Sequence, residues 1–412
     1  MRIAWLVRPV PLLLIPAAIS AIIWAAPWGS GVRRGYFERA HLGPSAVVFL
    51  LAWYGTWAVF GHAGYLIGRT SRPVALVNST TDRSYYRYFT GLAILGTAWT
   101  YGAVAYRDPG LITGAVRHLQ FNLVRKAVPY SAGPATLRYA SIAAGSIAIF
   151  ELVRTRRATP VHLLNVILLA LTAALASRLS LVMAVVLLLG LVVHRSPNAR
   201  IPVRWLIAGL VLFWFATSGL NYVRNAQFYR NVYQVDDPMT MNAYETIAYL
   251  GAPFQVSVGV AGQGDDDFPG AGTVASGIAG FLTPSYVASP SGALTDREDS
   301  YRSYVDVEPG LTTNSVLSVM YGAIGLWCLA LAAAIAAATG FVVGHASRYR
   351  SYFFLAGYAA AYCFAEVWRV FLFNAGIVQF LVLAFALLPL VARRGGARTS
   401  AADVGGENAQ LA

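Results

Sequence analysis

The sequence predicts an all-α polytopic membrane protein with about ten transmembrane helices and one large outer loop between the seventh and the eighth. Of the 412 residues, 57% are hydrophobic and only 12% are charged, whereas a soluble domain carries about 25% charged residues. Apolar runs of about 18 residues or more recur along the chain, and each is long enough to cross a hydrocarbon core of about 30 Å. Short basic links join these runs. The composition therefore excludes a soluble enzyme.

The predicted helices follow the apolar runs in chain order. They span about 9–27, 45–67, 88–106, 135–153, 160–177, 179–194, 203–220, 313–342, 351–371 and 375–392. Ser177, Arg178 and Leu179 join the fifth helix to the sixth, so these two helices must form a tight hairpin. The chain is thereby divided into helices one to seven at 1–220, the outer loop at 221–312, helices eight to ten at 313–392, and a cytoplasmic tail at 393–412 that we expect to be disordered.

The distribution of basic residues predicts which side each link faces. Cytoplasmic links of membrane proteins carry an excess of Lys and Arg, and with the N-terminus inside, the inner links hold 17 of the 31 basic residues. The densest clusters, VRTRR, RYR and VARRGGAR, all fall on that side. Arg2 and Arg8 precede the first apolar run, which we interpret as a retained helix because no small-residue cleavage site follows it. Both termini are therefore predicted to be cytoplasmic, and the 221–312 loop to face outward.

The 221–312 loop differs from the rest of the chain in composition. It holds 11 of the 18 acidic residues but only four arginines, and it is rich in Tyr, Pro, Gly and Ser. Its first stretch, NYVRNAQFYRNVY, is predicted to extend the seventh helix or to form an amphipathic segment, and ETIAYLGAPFQVSVGVAG is predicted to form a short interfacial helix. The Gly, Pro, Asp and Ser clusters of 263–308 predict irregular surface structure. A membrane protein with one loop of this size usually binds or reacts there.

Arg178 is the first candidate site residue because it caps the helical hairpin at the predicted outer face, between Ser177 and Ser180. An arginine within the bilayer is costly, by about 2.5–3.5 kcal/mol at mid-depth. It can serve as a topological anchor that reaches lipid phosphates. In so short a turn it is better placed to hold a phosphate or an acidic sugar, and this is the interpretation that we favour.

Glu366 and Arg369 lie toward the outer end of the predicted ninth helix, in YCFAEVWRVFLFN. A spacing of three residues puts both on one helical face, where they can form an ion pair. A structural pair that locks the bundle explains them nearly as well as a functional pair. In the functional interpretation, Arg369 binds an anionic group and Glu366 orients it or acts as a base.

Several other outer segments carry arginine. Together with Arg178 and Arg369 they would form a cationic rim, whose planar donor groups suit phosphate oxygens in pairs. These further members are Arg138, Arg224 and Arg302. The tyrosines of the loop, among them Tyr249 and Tyr301, suit an aromatic belt at the membrane interface and can also stack on sugar rings.

Signatures of other chemistries are missing from the sequence. No HExxH, CxxC, GxSxG, P-loop or GxGxxG stands in a supporting context, so a metal hydrolase, an ATPase and a serine hydrolase are disfavoured, and we predict no metal and no cofactor. The net charge of +13 comes from arginines spread between apolar runs. That distribution predicts contact with the lipid bilayer and not with nucleic acid.

Three local matches resemble the bacterial O-antigen polymerase family, the Wzy-type oligosaccharide repeat-unit polymerases. The hairpin LALTAALASRLSLVMAVVLLLG resembles the family's hydrophobic-Ser-Arg-hydrophobic turn. The stretch ETIAYLGAPFQVSVGVAG resembles its Tyr-to-Pro segment in the large outer loop, and LTTNSVLSVMYGAIGLWCLAL resembles its Thr- and Asn-rich entry to a helix. The number of spans, the late large loop and the cytoplasmic ends also fit the family's plan across most of the chain.

The resemblance implies a glycosyltransferase in the cytoplasmic (inner) membrane of a bacterium. Such an enzyme joins polyprenyl-pyrophosphate-linked oligosaccharide repeat units of an O-antigen, capsule or exopolysaccharide at the outer face. By resemblance, Arg178 and also Arg224, Arg302 and Arg369 engage the pyrophosphate, while Glu366 or a loop carboxylate takes the acceptor proton. The implied partners are the lipid-linked oligosaccharide, a chain-length regulator and a flippase, and the implied reaction uses no metal or cofactor.

Three alternatives remain open. Related O-antigen ligases carry a His-containing motif in the large loop, and the 221–312 loop has no His, which favours a polymerase. A transporter or flippase of a lipid-linked glycan would place charges at mid-membrane and interrupt helices in both halves, whereas the charges here cluster at outer helix ends. The third alternative is a non-catalytic scaffold of an envelope assembly complex.

Overall fold

The computed structural model describes residues 3–28, 36, 38–78, 80–118, 121–128, 133–176, 178–196, 203–263, 270–284 and 315–407. The fold is all-helical, with 83% of the described residues in helices and no strand among them. The all-α part of the prediction is therefore confirmed for these residues.

The helices run through both halves of the chain with short connections. In the first half they are α1 (Ile3–Leu6), α2 (Pro9–Ala25), α3 (Pro44–Thr70), α4 (Ala75–Asn78), α5 (Asp82–Arg107), α6 (Pro109–Arg117), α7 (Phe121–Ala127), a 3-10 helix (Pro134–Tyr139), α8 (Ala140–Thr155), α9 (Pro160–Ala176) and α10 (Arg178–Arg195). In the second half they are α11 (Val203–Tyr233), α12 (Pro238–Gln263), α13 (Ala271–Leu282), α14 (Val316–Ile324), α15 (Trp327–Ala346), α16 (Phe354–Glu366) and α17 (Gly376–Glu407).

The residues that open several helices explain where those helices begin. Thr81 caps α5 by accepting a hydrogen bond from the backbone N–H of Ser84 at 3.2 Å. Asp108 caps α6 in the same way through the N–H of Gly110 at 3.0 Å. Proline occupies the first turn of α2, α3 and α6, where its missing N–H costs no helical hydrogen bond.

Three helical stretches in the described part of the chain are long and apolar enough to cross a membrane: Pro44–Thr70, Pro134–Thr155 and Trp327–Ala346. Shorter apolar helices accompany them, among them Pro9–Ala25 and Gly376–Val391. Large apolar side chains are exposed along the length of α3, where Leu51 is 69% and Val59 65% exposed, as expected for a face that contacts lipid tails. The fold has the apolar helices of a membrane protein, and the count of ten spans stays a prediction.

Four glycines bring α3 and α15 into backbone contact. A Cβ at Gly64 would lie 2.0 Å from the carbonyl oxygen of Ala337, and a Cβ at Gly68 would lie 2.2 Å from that of Phe341. On the facing helix, a Cβ at Gly340 or Gly344 would lie 2.1 Å from a backbone oxygen of α3. We call Gly64, Gly68, Gly340 and Gly344 the glycine seam. Small residues spaced by four are typical of closely packed helices in membranes.

The predicted eighth and ninth helices differ from the observed ones. The continuous helix expected at 313–342 is broken at Gly325, whose backbone has φ 58° and ψ −144°. This conformation favours glycine and ends α14, while the apolar composition continues unchanged on both sides. The helix expected at 351–371 is shorter, because α16 begins at Phe354 and ends at Glu366.

The predicted outer loop contains more helix than expected. The extension of the seventh helix is confirmed, since α11 runs through Tyr233. The expected short interfacial helix is part of the 26-residue α12, which packs against α2, α3 and α11. Its apolar residues are buried by other helices, so the expected short helix was wrong in length, and its position at the membrane interface stays a prediction. A further helix, α13, occupies part of the stretch expected to be irregular.

At the C-terminus, α17 runs to Glu407, into the tail for which the sequence predicts disorder. Two stretches of the predicted outer loop, 264–269 and 285–312, lie outside the described ranges, as do the first two residues of the predicted eighth helix.

The helix α16 joins two parts of the core. Its residues Tyr362 and Ala365 belong to a cluster formed with α5, α8, α9, α10 and α17. Phe364 and Val367 belong to a second cluster formed with α2, α3, α12, α14 and α15. The end of α16 is thus held from two sides, which fixes the position of the charged residues that lie there.

Candidate functional site

Three polar side chains form a connected set at the end of α16. The hydroxyl of Tyr362 donates to Oε1 of Glu366 at 2.6 Å, and Nε of Arg369 donates to Oε2 of the same carboxylate at 2.5 Å. Tyr362 and Glu366 are four residues apart on α16 and lie on one helical face, and Arg369 lies in the turn that follows α16. We call this set the α16 triad. The ion pair that the sequence predicts between Glu366 and Arg369 is therefore present.

The α16 triad is buried. Glu366 is 3% exposed and Tyr362 is fully buried, and the side chain of Arg369 is 14% exposed. Its guanidinium carbon lies 5.4 Å from the ring centroid of Trp368. Ionised groups are tolerated in such surroundings only when they are paired and hydrogen-bonded. Both oxygens of Glu366 are engaged, which suits a carboxylate that holds Arg369 in position better than one that takes up a proton.

Arg369 keeps unused donors beyond its bond to Glu366. Only Nε donates to a described residue, and a guanidinium carries five N–H donors in a planar arrangement. Because part of the side chain is exposed, the two terminal nitrogens can contact an incoming group. Pairs of guanidinium donors bind carboxylate and phosphate oxygens best. The triad can therefore hold an anion at the end of α16.

Helices of the predicted outer loop flank the triad. Tyr249 on α12 lies within electrostatic range of Arg369. After the triad, the amide nitrogen of Asn374 donates to the carbonyl of Gly280 on α13 at 3.3 Å, and the rings of Phe281 and Phe371 lie 5.1 Å apart. The predicted site residues Glu366, Arg369 and Tyr249 are thus brought together, between a core helix and the loop.

A buried amide on α12 anchors that helix to the first predicted outer loop. Oε1 of Gln255 accepts from the indole of Trp24 at 2.6 Å and from the backbone N–H of Ala40 at 3.0 Å. Nε2 of Gln255 donates to the carbonyl of Glu38 at 2.5 Å. Every polar atom of this amide is used, so α12 has a fixed depth beside α2. Tyr249 lies on the same helix, so the hydrogen bonds of Gln255 also fix the position of Tyr249.

Arg138 lies in the 3-10 helix before α8 and is engaged locally. Its Nη1 donates to the carbonyl of Ala135 at 2.9 Å, its Nη2 donates to the hydroxyl of Tyr139 at 3.1 Å, and its Nε is buried without a described partner. Its carbonyl accepts from Thr172 on α9 at 3.3 Å. Arg138 therefore lies beside α9 of the α9–α10 hairpin, and its described hydrogen bonds join it to that region and not to the α16 triad.

The hairpin itself has the predicted form. One residue, Ser177, separates α9 from α10, and the two helices pack against each other. Arg178 is the first residue of α10, but its side chain lies outside the described part of the structure, and so does that of Arg224 on α11. Arg302 and Tyr301 fall in the undescribed stretch 285–314. The predicted cationic rim therefore stays a prediction at these positions.

Sequence reasoning missed Tyr362 and Gln255. The first stands four residues before Glu366, a spacing that places both on one helical face, and this signal was available in YCFAE. The role of Gln255 depends on partners more than 200 residues away in the chain, and no local pattern predicts it.

In the described residues, no group of three or more His, Cys, Asp or Glu side chains is arranged to hold a metal ion. Cys328 and Cys363 are buried and unbonded.

Comparisons with known proteins give no relative for this chain: no family model, no curated protein and no solved structure matches it.

Proposed function

We propose that this protein polymerises polyprenyl-pyrophosphate-linked oligosaccharide repeat units at the outer face of the bacterial cytoplasmic membrane. The observation that carries the proposal is the α16 triad, a buried carboxylate–guanidinium pair with free guanidinium donors beside a helix of the predicted outer loop. An anionic leaving group at a membrane surface needs donors of this kind. The local resemblance of the hairpin and of the loop to O-antigen polymerases supports the same reaction.

The proposed reaction is a glycosyl transfer. A hydroxyl oxygen of the acceptor repeat unit bonds to the anomeric carbon of the donor sugar, and the bond from that carbon to the pyrophosphate oxygen breaks. The polyprenyl pyrophosphate leaves with the bonding electrons, and the hydroxyl proton passes to a base. Negative charge grows on the leaving group as the bond breaks, so fixed guanidinium groups lower the barrier.

Each candidate residue has a role in this proposal. Arg369 and Arg178 contact the pyrophosphate, with Arg224 and Arg302 as further contacts. Glu366, whose two carboxylate oxygens are occupied by Tyr362 and Arg369, positions Arg369, and a carboxylate of the outer loop serves as the base. Tyr249 and Tyr301 stack on the sugars. Arg138 supports the hairpin that carries Arg178.

The ion pairs of the described chain favour an enzyme over a transporter. They join Arg154 to Glu151, Arg195 to Asp82, Arg230 to Asp236 and Arg369 to Glu366. Each includes a residue at or next to a helix end. A transport path for a charged lipid head group would need ionised groups at mid-membrane.

One observation favours a transporter or flippase as the second candidate. The break at Gly325 divides one apolar segment into α14 and α15, and transporters bind their substrates at such interruptions. A transporter of this type interrupts helices in both halves of the chain, and in the described first half the long helices α3 and α5 are continuous. The polymerase is therefore the better supported proposal.

A single reconstitution distinguishes these candidates. Purified protein in proteoliposomes receives a synthetic polyprenyl-pyrophosphate oligosaccharide without nucleotide sugar or added metal, and products are resolved by length. The polymerase proposal predicts a ladder of lipid-linked oligomers that differ by one repeat unit. If the lipid-linked glycan crosses to the other leaflet and its length does not change, the protein is a flippase. If the glycan is transferred only when a different acceptor lipid is added, it is a ligase.

A further inference from the structure

A basic cavity lies at the end of the bundle opposite to the predicted outer side. It has a volume of about 530 Å³, within the range of roughly 300–1,000 Å³ typical of small-molecule sites. Arg8 in the turn before α2, Arg69 in the last turn of α3 and Arg348 just after α15 lie around it. We call it the basic cavity. All three arginines fall in links that the sequence predicts to be cytoplasmic.

The positive charge of the basic cavity is not balanced by the described residues. No acidic side chain is among its described lining residues. Arg8 and Arg69 form no ion pair and donate no side-chain hydrogen bond in the described part of the structure. The guanidinium carbon of Arg69 lies 5.8 Å from the ring centroid of Tyr65. Arg348 uses one nitrogen on the carbonyl of Arg69, at 2.6 Å. Most of the guanidinium donors are therefore free for a ligand.

The inner wall of the basic cavity is apolar. Val193, Val343 and Phe354 line it and are buried. The ring of His194 stacks on Phe354, with centroids 3.8 Å apart. A cavity with free guanidinium groups at its mouth and an apolar wall behind them suits an amphiphile that carries a phosphate. A free inorganic anion would leave the apolar wall uncovered.

The position of the cavity points to a lipid as the source of that phosphate. Leu66, three residues before Arg69 on α3, is 48% exposed, and residues three apart share a helical face. The helix face beside the cavity mouth is therefore suited to lipid tails. We infer that the basic cavity binds the phosphate of an anionic phospholipid head group from the leaflet on that side. Basic pockets between helices on the cytoplasmic side bind anionic head groups in this manner. This inference does not depend on the proposed polymerase reaction.

The test is a titration of full-length protein in neutral detergent with phosphatidylglycerol or phosphatidylcholine, with bound lipid counted by native mass spectrometry. The triple variant Arg8→Gln, Arg69→Gln, Arg348→Gln should bind phosphatidylglycerol about a hundredfold more weakly, since each arginine near an anionic lipid contributes roughly fivefold. The single variant Arg8→Gln should bind phosphatidylglycerol roughly fivefold more weakly. It removes no described side-chain hydrogen bond or ion pair, so we expect it to fold as the wild type does. Phosphatidylcholine should bind weakly to all of these proteins.

A matched control carries the same charge change on the same predicted side. The triple variant Arg154→Gln, Arg156→Gln, Arg157→Gln changes the exposed last turn of α8 and the basic link after it, outside the lining of the cavity. Its affinity for phosphatidylglycerol should stay within about twofold of wild type, because none of its three arginines lines the basic cavity. Equal loss in the control and the cavity variant would overturn the inference, as would unchanged affinity in Arg8→Gln. Displacement of the lipid by millimolar inorganic phosphate would show a site for soluble phosphate and overturn the lipid assignment.

Discussion

Glu366 and Arg369 show how a sequence rich in apolar residues can hold two opposite charges in its core. Each charge would be costly alone, and each is neutralised by the other at 2.5 Å. The hydroxyl of Tyr362 donates a hydrogen bond to the other carboxylate oxygen, so neither oxygen is buried without a hydrogen-bond partner. Such pairs are sensitive to the loss of one partner, because the remaining charge is then buried without compensation.

The pair should therefore show strong energetic coupling. Glu366→Ala and Arg369→Ala should each lower the free energy of unfolding by about 3–5 kcal/mol, whereas the double variant should cost less than the sum, because neither charge is then left alone. Thermal unfolding of the four proteins in one detergent measures this cycle. Additive losses would mean that the two side chains do not depend on each other.

Arg178 is the residue on which the resemblance depends most. Arg178→Ala should reduce polymer formation by about 10²–10³-fold, the usual cost of removing one donor to a developing anion, while the amount of protein in the membrane stays unchanged. Arg178→Lys should restore activity only in part, since an ammonium group cannot reproduce the planar donor pair. Polymer length in cells and protein level by immunoblot give the readout.

Arg107→Ala is the matched control for Arg178. Arg107 is exposed at the end of α5, on the same predicted side, and no site role is proposed for it. Normal polymer in both alanine variants would show that Arg178 is only a topological anchor.

At the scale of helices, the glycine seam leaves no room for a Cβ atom between α3 and α15. Gly344→Ala should lower the free energy of unfolding by about 1–3 kcal/mol, because the added methyl group meets backbone that cannot rotate away. Gly55→Ala, on the facing helix α3 but with nothing within 4 Å of its Cβ position, should be neutral or should stabilise by about 0.5–1 kcal/mol. Thermal unfolding in a common detergent compares the two; similar melting temperatures would exclude a close α3–α15 contact.

The start of α12 should respond to acid. The backbone N–H and the hydroxyl of Thr240 both donate to the Asp237 carboxylate at 2.7 Å, and these bonds hold the pKa of Asp237 below its ordinary value of 3.8. A depressed folded-state pKa means that the cap stabilises the helix above the unfolded pKa and that this contribution is lost as pH falls through the folded pKa.

Amide exchange in the first turn of α12 measures this loss. Relative to Asp237→Asn, which can cap but does not titrate, wild-type protection should fall as the pH is lowered below 3.8. Parallel behaviour of the two proteins across that range would show that the carboxylate does not cap α12.

Helices whose limits depend on local composition were predicted well. The expected helix at 45–67 is observed as Pro44–Thr70, because proline and the apolar run are both visible in the sequence. The break at Gly325 was not predictable, since hydropathy is continuous through it and only the backbone dihedral angles reveal it. The burial of α12 depends on Gln255, Trp24 and Glu38, which meet across more than 200 residues. Local periodicity carries no such information.

The candidate site also has one part that the sequence predicts and one part that it does not. The Glu366–Arg369 pair follows from a spacing of three residues and was predictable. The approach of Tyr249 to Arg369 requires α12 and α16 to meet, and this depends on the packing of the whole bundle.

Over the whole molecule, segments predicted to share a side of the membrane contact each other. Among the predicted inner links, Arg195 pairs with Asp82, and Arg348 donates to the carbonyl of Arg69. The N–H of Tyr352, at the start of the predicted ninth helix, also donates to Asp82 at 2.8 Å. Among the predicted outer segments, Gln255 binds the carbonyl of Glu38. The proposed glycan site and the basic cavity are therefore formed from different sets of links. The side of the membrane that each set faces is a prediction from the charges.

The two ends of the bundle offer a matched pair of carboxylates. At the predicted inner end, Glu151 accepts from the Tyr352 hydroxyl at 3.1 Å and pairs with Arg154 three residues later at 2.6 Å. At the predicted outer end, Glu366 has the same two kinds of partner, Tyr362 and Arg369. The two carboxylates therefore have similar partners, but only Glu366 lies beside the helices of the predicted outer loop. Comparing variants of Glu366 and Glu151 separates a role in catalysis from a role in folding.

The most direct measurement is the initial rate of chain extension by Glu366→Gln and Glu151→Gln in proteoliposomes, with a lipid-pyrophosphate-linked repeat unit as substrate. We expect Glu366→Gln to be slower than wild type by about 100-fold, the cost of displacing a contacting group by about 1 Å, and Glu151→Gln to retain wild-type rate to within about threefold, since exposed pairs contribute little. Equal amounts of folded protein by gel filtration make the rates comparable. Full activity in Glu366→Gln, or an equal loss in both variants, would contradict a polymerisation site at the end of α16.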